Sequence, residues 1–314
     1  MVKPFFPVHL CVLAASIAIL FASCASSPKS VADAEAAGGG LAFLDPGGLV
    51  YLTLDVPGSR PVLDRISLGG MRGSQAGQAL DMTDTAAAAV YPPGDGRGFL
   101  LAAQGRYPNS RLRFLLGVSS AWKKTRSTTG GRYWRSETDN LSIYIDPRYA
   151  LLSGGDPFPR SGGVMAPPRF AELREGAVLA GWVPDAAAMI DRLLFGMQIP
   201  LSIPAGLAVF GVYPAAADPP DGEGRAANPA HRFFARIRLE LPSPSHAGAI
   251  AAMIALIRSV IVNPAFAEAG EFSLAPLLFA NPLVQDGSSL ILRTADMDAE
   301  EIALLFTMFS IYSN

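Results

Sequence analysis

His231-Arg232-Phe233-Phe234-Ala235-Arg236-Ile237-Arg238-Leu239-Glu240-Leu241 alternates along its whole length. His231, Phe233, Ala235, Ile237, Leu239 and Leu241 fall on one side, and Arg232, Arg236, Arg238 and Glu240 on the other. Successive strand residues project to opposite faces of a sheet, so this period of two reads as a strand. A strand buried on both faces would be apolar throughout. Three arginines on one side therefore predict an antiparallel sheet with one face in water.

Working outward from that strand, the second half of the chain reads as a strand at Ala177–Val183 and a helix opened by Asp185 with Met189, Ile190, Leu193 and Leu194. The strand pair Leu207–Tyr213 and His231–Leu241 follows, then a helix from Ser245 to Val262 and a strand at Leu290–Thr294. Asp298 and Glu301 have the spacing of a capping box for a last helix, whose apolar positions are Ile302, Leu305, Phe306 and Phe309.

The first half runs in the same order. Leu49–Val56 alternates as a strand, and Ser59 and Pro61 open a helix that Gly69-Gly70 stops. Thr85–Tyr91 and Arg97–Tyr107 form a hairpin about Pro92-Pro93-Gly94-Asp95-Gly96. A helix at Ser110–Lys124 and a strand region at Tyr133–Asp146 complete it. Ala89-Val90-Tyr91-Pro92 echoes Gly211-Val212-Tyr213-Pro214, and Phe99 echoes Phe233.

The order β-α-β-β-α-β, met twice, resembles the ferredoxin-like, split-βαβ unit. The resemblance implies an α+β fold of two tandem units, each an antiparallel sheet with helices on one face; the alternative is one larger α+β sheet. Gly- and Pro-rich stretches place the linker at 156–175, between a first repeat at 48–155 and a second at 176–314. A second biased loop, Ala215–Ala230, reads as a hairpin tip.

The N-terminus has the three parts of a secretory signal, with Lys3, the apolar run Leu10–Phe21 and the small exit Ala22-Ser23. That run falls short of the ~20 residues a membrane-spanning helix needs. Leu20-Phe21-Ala22-Ser23-Cys24 resembles the lipobox of bacterial lipoproteins, and Phe21 matches the relaxed lipoboxes of spirochaetes. The resemblance implies a signal peptide at 1–23, cleavage between Ser23 and Cys24, and a diacylglycerol with palmitate-type chains on the Cys24 thiol. Two or more acyl chains anchor a protein stably. Ordinary secretion would instead leave Cys24 as an odd exposed thiol, since the other cysteine, Cys11, lies in the leader. Residues 24–47 then read as a flexible tether. Ala25 is not the aspartate that holds enteric lipoproteins in the inner membrane, which favours the outer membrane over the inner, with the leaflet, periplasm-facing or outward, left open.

The chain has 314 residues, 50% hydrophobic and 17% charged, with net charge -2 and a mean hydropathy of +0.29. A large core is available, and no basic run tracks a phosphate backbone, which speaks against nucleic acid. No metal-ligand spacing appears, and no cofactor motif. The histidines are His9 in the leader, His231 opening a strand, and His246 in the first turn of a helix. Gly117-Val118-Ser119-Ser120-Ala121 lacks the strand–helix context of a nucleophile elbow. Gly69-Gly70-Met71-Arg72-Gly73 reads as a helix stop, and Asp81 and Asp84 as turn and strand-entry residues.

Two features point toward binding. The helix Ala247–Val262 is apolar nearly all round, which predicts burial or a face turned to lipid or to an apolar ligand. The group Trp122, Lys123, Lys124, Arg126, Arg132, Tyr133, Trp134 and Arg135 reads first as a solvated loop, with a face for anionic lipid or another envelope polymer as the alternative. The expectation is a non-enzymatic, membrane-anchored envelope lipoprotein that binds or scaffolds an unidentified envelope protein. A carrier of an apolar ligand or lipid between the repeats, and a hydrolase with an unrecognised site, are the alternatives.

Overall fold

The computed structural model describes residues 39–65, 74–187, 190–191, 203–215, 232–261, 275–278 and 280–303. The leader, the lipobox, the glycine loop at 69–73, His231, the tip at 218–224 and the end of the last helix lie outside the described residues. The chain divides into two compact units, with a boundary at Pro167/Pro168 and Pro61–Ile66 grouped with the second.

The first unit opens with a 3-10 turn at Gly40–Phe43, then β1 (Val50–Asp55), α1 (Val56–Leu63, grouped with this unit as far as Arg60), α2 (Ser74–Asp81), β2 (Thr83–Val90) and β3 (Phe99–Gly105). α3 (Asn109–Val118), β4 (Lys123–Arg126), β5 (Arg132–Ser136), β6 (Leu141–Ile145) and β7 (Tyr149–Ser153) follow. The second unit has α4 (Phe170–Arg174), β8 (Leu179–Val183), β9 (Leu207–Pro214), β10 (Phe233–Glu240) and α5 (Pro244–Ile261). It continues with α6 (Ala275–Leu278), β11 (Val284–Asp286) and β12 (Ser289–Arg293).

In the first unit the strands lie in the order β1-β2-β3-β7-β6-β5-β4, and in the second β8-β9-β10-β12-β11. Neighbours within each unit pair antiparallel. The coarse fold is thus α+β, with a large antiparallel sheet and few helices. The ferredoxin-like order differs from what is observed. A split βαβ brings its helix back to a parallel strand, whereas β1 pairs directly and antiparallel with β2, Val50 opposite Val90 and Asp55 opposite Thr85.

Helices on one face only is corrected as well. In the first unit, Leu101, Leu141, Ile143, Ile145 and Leu152 pack with Leu112 and Leu116 of α3. The opposite face carries Ala102, Tyr133, Tyr144, Tyr149 and Leu151, covered by Ala42 and Phe43 of the 3-10 turn and by Phe158. In the second unit, Phe170 of α4 packs on Trp182 at 4.7 Å between ring centres. α5 lies against β11 and β12, its first carbonyl held by Gln285 Nε2 at 2.9 Å. Register places Gln285 with Leu290, Leu239 and Ala208 on the face opposite Trp182.

The arginine face of β10 is therefore not simply wet. Arg238 is buried, its Nε donating to Glu240 at 2.9 Å and its Nη2 to Asp286 at 2.8 Å and to Ser289 Oγ at 2.9 Å. Alternation separates two chemically different faces; it does not say that the polar one meets water.

Some local details recur in the two units. Tyr91, just past β2, donates its hydroxyl to Asp45 O at 3.1 Å, and Tyr213, ending β9, donates to Leu173 O. Each tyrosine thus ties down the segment that precedes its unit's first strand. Leu52, Val56-Pro57 and Asp64-Arg65 recur at one constant offset as Leu179, Val183-Pro184 and Asp191-Arg192.

Several boundaries moved. The helix expected to run through Lys124 ends at Val118, where Ser119 is its C-cap, so Lys123 and Lys124 belong to a strand. Tyr133–Asp146 is two strands about a turn in which Asn140 takes φ 48. Phe158 and the amides of Arg160 and Ser161, inside the stretch expected to link the halves, pack into the first unit, as does Ala42–Asp45 at the end of the expected tether.

Candidate functional site

Cys24 and Ser23 lie outside the described residues, so the candidates here are side chains on the folded units. Among the described residues, no three His, Cys, Asp or Glu side chains could together hold a metal. His246 is exposed at the first turn of α5, where Ser243 caps the helix and contacts its Nδ1 at 2.7 Å. Asp81 ends α2 and pairs with Arg60 at 2.6 Å, while Asp84 sits within β2. The capping box is formed as its spacing predicts: Asp298 N–H donates to Glu301 at 2.8 Å and Glu301 N–H to Asp298 at 2.9 Å.

The most polar interior point was missed from sequence. Arg97 Nη1 donates to Asp45 Oδ2, and Arg97 Nη2 to Phe158 O at 3.0 Å. Asp45 Oδ1 also accepts from the amides of Arg160 and Ser161 and from Ser161 Oγ, each at 2.9 Å. The Asp45 backbone is gripped by Tyr91 and Tyr51. Both carboxylate oxygens are saturated by donors, which makes this a clasp. Asp45 stands 52 and 115 residues from two of its partners, and no local pattern reveals such pairs. Burial pushes the Tyr91 and Tyr107 phenols up to about 12, so neither serves as a base near neutral pH.

What remains is surface. α3 turns Leu112, Arg113 and Leu116 inward and leaves Phe114 at 64%, Leu115 at 43% and Val118 at 63% exposed. Small soluble helices bury such residues on the core stripe; here a second apolar row faces out. α5 buries Ala247, Ile250 and Ile254 and exposes Met253 at 39% and Leu256 at 68%. Burial thus holds for one side of that helix, and the other side leaves apolar residues exposed. No helix among the described residues is long and apolar enough to cross a membrane.

The basic and aromatic group resolves into two faces of the β4–β5 hairpin. Register pairs Lys123 with Arg135, Lys124 with Trp134, Thr125 with Tyr133 and Arg126 with Arg132. Lys124, Arg126, Arg132 and Trp134 share the α3 side, where Trp134 packs on the core. Lys123, Arg135 and the buried Tyr133 lie on the other, with Lys123 bound to Glu137 at 3.0 Å and Arg135 to Asn140 at 3.1 Å. Trp122 is in the core beneath α3.

No protein-family model and no curated protein matches this chain. Solved structures of TP0453 do. Crystal form III is 18% identical with a TM-score of 0.56, covering 87% of this chain and 99% of that one. Form IV is 17% identical with a TM-score of 0.54, covering 87% and 98%. Form I is 16% identical with a TM-score of 0.52, covering 88% and 99%. This likeness shows the fold: an α+β chain on a large antiparallel sheet spanning nearly the full length of TP0453.

Proposed function

We propose that the chain is a non-enzymatic bacterial envelope lipoprotein, anchored in the outer membrane through acylated Cys24, whose folded units also touch the lipid surface. The observation that carries the second part is the outward row Phe114, Leu115 and Val118 on α3. Exposed apolar surface of that kind marks an interaction site, and full transfer of one such side chain from water is worth about 1.5–3 kcal/mol. The open face of α5 at Met253 and Leu256 acts the same way in the second unit. The leader and the Cys24 motif support the anchor.

We also infer that the units arose by duplication of one element series. The three consecutive antiparallel strands that open each unit, the two tyrosine ties and the recurring Val-Pro and Asp-Arg pairs support it.

Two measurements test the function. Intact-mass analysis of protein from its native membrane should find a product starting at Cys24 with acyl chains; an unmodified product starting elsewhere overturns the anchor. The mature chain carrying Cys24→Ser should float with phosphatidylcholine vesicles, and Phe114→Ser with Val118→Ser should weaken that partitioning at least tenfold. Equal flotation of the two removes α3 as a lipid contact.

A further inference from the structure

Arg126 and Arg132 stand directly opposite each other on the hairpin that ends the first unit's strand order. Like charges in this position destabilise a strand pair. Both are exposed, and neither side chain has a hydrogen bond or ion pair among the described residues. The cations on the reverse face differ: Lys123 is neutralised by Glu137 and Arg135 is held by Asn140. The uncompensated charge is thus confined to one side.

That side already carries the groups an interfacial site needs. Lys124 lies 5.6 Å from the centre of the Trp134 ring, adding a third cation beside the arginine pair. Trp134 is half-buried against the core, and a Cβ on Gly117 of α3 would stand 3.5 Å from its ring. Gly117 is flanked by Val118, so the indole joins the outward apolar row of α3 to the basic hairpin. Tryptophan favours such places, with an apolar body on hydrocarbon and an N–H toward water. The hairpin is also tied down, since Ser127 at its tip donates to Asp156 and accepts from the Thr129 amide at 3.1 Å. Guanidinium forks match phosphate geometry better than ammonium groups do.

We propose that Arg126 and Arg132, flanked by Lys124 and Trp134, form a binding site for the phosphate of an anionic lipid headgroup, seated while the α3 row enters the acyl region. A bound phosphate would sit between the two forks and convert their repulsion into a bridge. The lipid origin of that phosphate rests on the membrane reading above; the phosphate chemistry rests on the hairpin alone.

The test uses the mature chain with Cys24→Ser and vesicles of pure phosphatidylcholine or of phosphatidylcholine with phosphatidylglycerol. Each basic side chain near an anionic surface is worth roughly fivefold in partitioning. The parent should prefer the anionic vesicles at least tenfold, and Arg126→Gln with Arg132→Gln should erase most of that preference while leaving binding to pure phosphatidylcholine unchanged. A control removing two cations from the second unit, Arg169→Gln with Arg236→Gln, should keep it. Equal losses in the two double variants reduce the effect to net charge and overturn the site. So does an anionic preference that survives the Arg126 and Arg132 changes. If inorganic phosphate at matched ionic strength abolishes the preference and raises the parent's melting temperature without vesicles, free phosphate is the ligand and the lipid assignment falls. If no form binds any vesicle, the membrane reading fails first. Melting temperature controls for folding, and the glutamine pair should melt no lower than the parent.

Discussion

Arg238 in the second unit and the Arg126–Arg132 pair in the first both project from antiparallel strands, yet they are treated in opposite ways. Arg238 is sealed beneath Glu240, Asp286 and Ser289. Burial works against its charge, but those hydrogen bonds outweigh the loss and hold its pKa above the ordinary arginine value. Arg97, in the first unit, is likewise closed over by Asp45 and Phe158 O. A cation inside a fold persists when its charge is paired; in Arg97 both terminal nitrogens find acceptors and Nε alone does not. The hairpin arginines have no such enclosure and face one another. A charge that the fold leaves uncompensated, on one side of one hairpin, contributes nothing to stability.

The comparison can be broken in order of effect. Asp45→Ala should be the most damaging, costing about 3–5 kcal/mol because Arg97 is left buried and unpaired; a urea midpoint unchanged from the parent would show that the clasp is not what closes the first unit. Arg238→Ala should cost less, about 2 kcal/mol, because Glu240 and Asp286 side chains are 28% and 57% exposed and can hydrate when freed. The phenols give a pH test. Tyr91 and Tyr107 sit near 12 when folded, against 10.0 ordinarily, mainly through desolvation. Their folded-state pKa is raised, so the contribution is complete below pH 10 and is lost as pH climbs from 10 to 12. Tyr107→Phe should therefore make stability fall less steeply across that window, at the cost of the 3.0 Å contact with Thr83 Oγ. The smallest effect carries opposite sign: Arg126→Gln should raise stability by about 0.2–1 kcal/mol, as relief of a like-charge pair. If it destabilises as Arg238→Ala does, the contrast between the two arginine environments is wrong.

Much of the fold was legible where pattern and length agreed. The helix at Pro244–Ile261 and the strand Phe233–Glu240 fall within two residues or so of their expected ends, because eighteen helical and eight alternating residues give an unambiguous period. β7 was missed because all five of its residues, Tyr149 to Ser153, are buried, so no alternation marks it. α2, Ser74–Asp81, has small and polar residues with little apolar signal. The basic group near Trp134 was visible as composition; its separation into a compensated and an uncompensated face was not, since that depends on β4 being a strand and on its register with β5.

By itself the sequence determined the alternation of β10 and the extent of the apolar helix α5, because these depend on neighbours a few residues apart. Only the tertiary structure decided that β1 returns antiparallel to β2, that both faces of the strands are covered within each unit, and which arginines are partnered. Those outcomes rest on contacts between residues such as Asp45 and Arg160, 115 positions apart, where chain closure, burial and charge compensation must be satisfied together and no local period records the result.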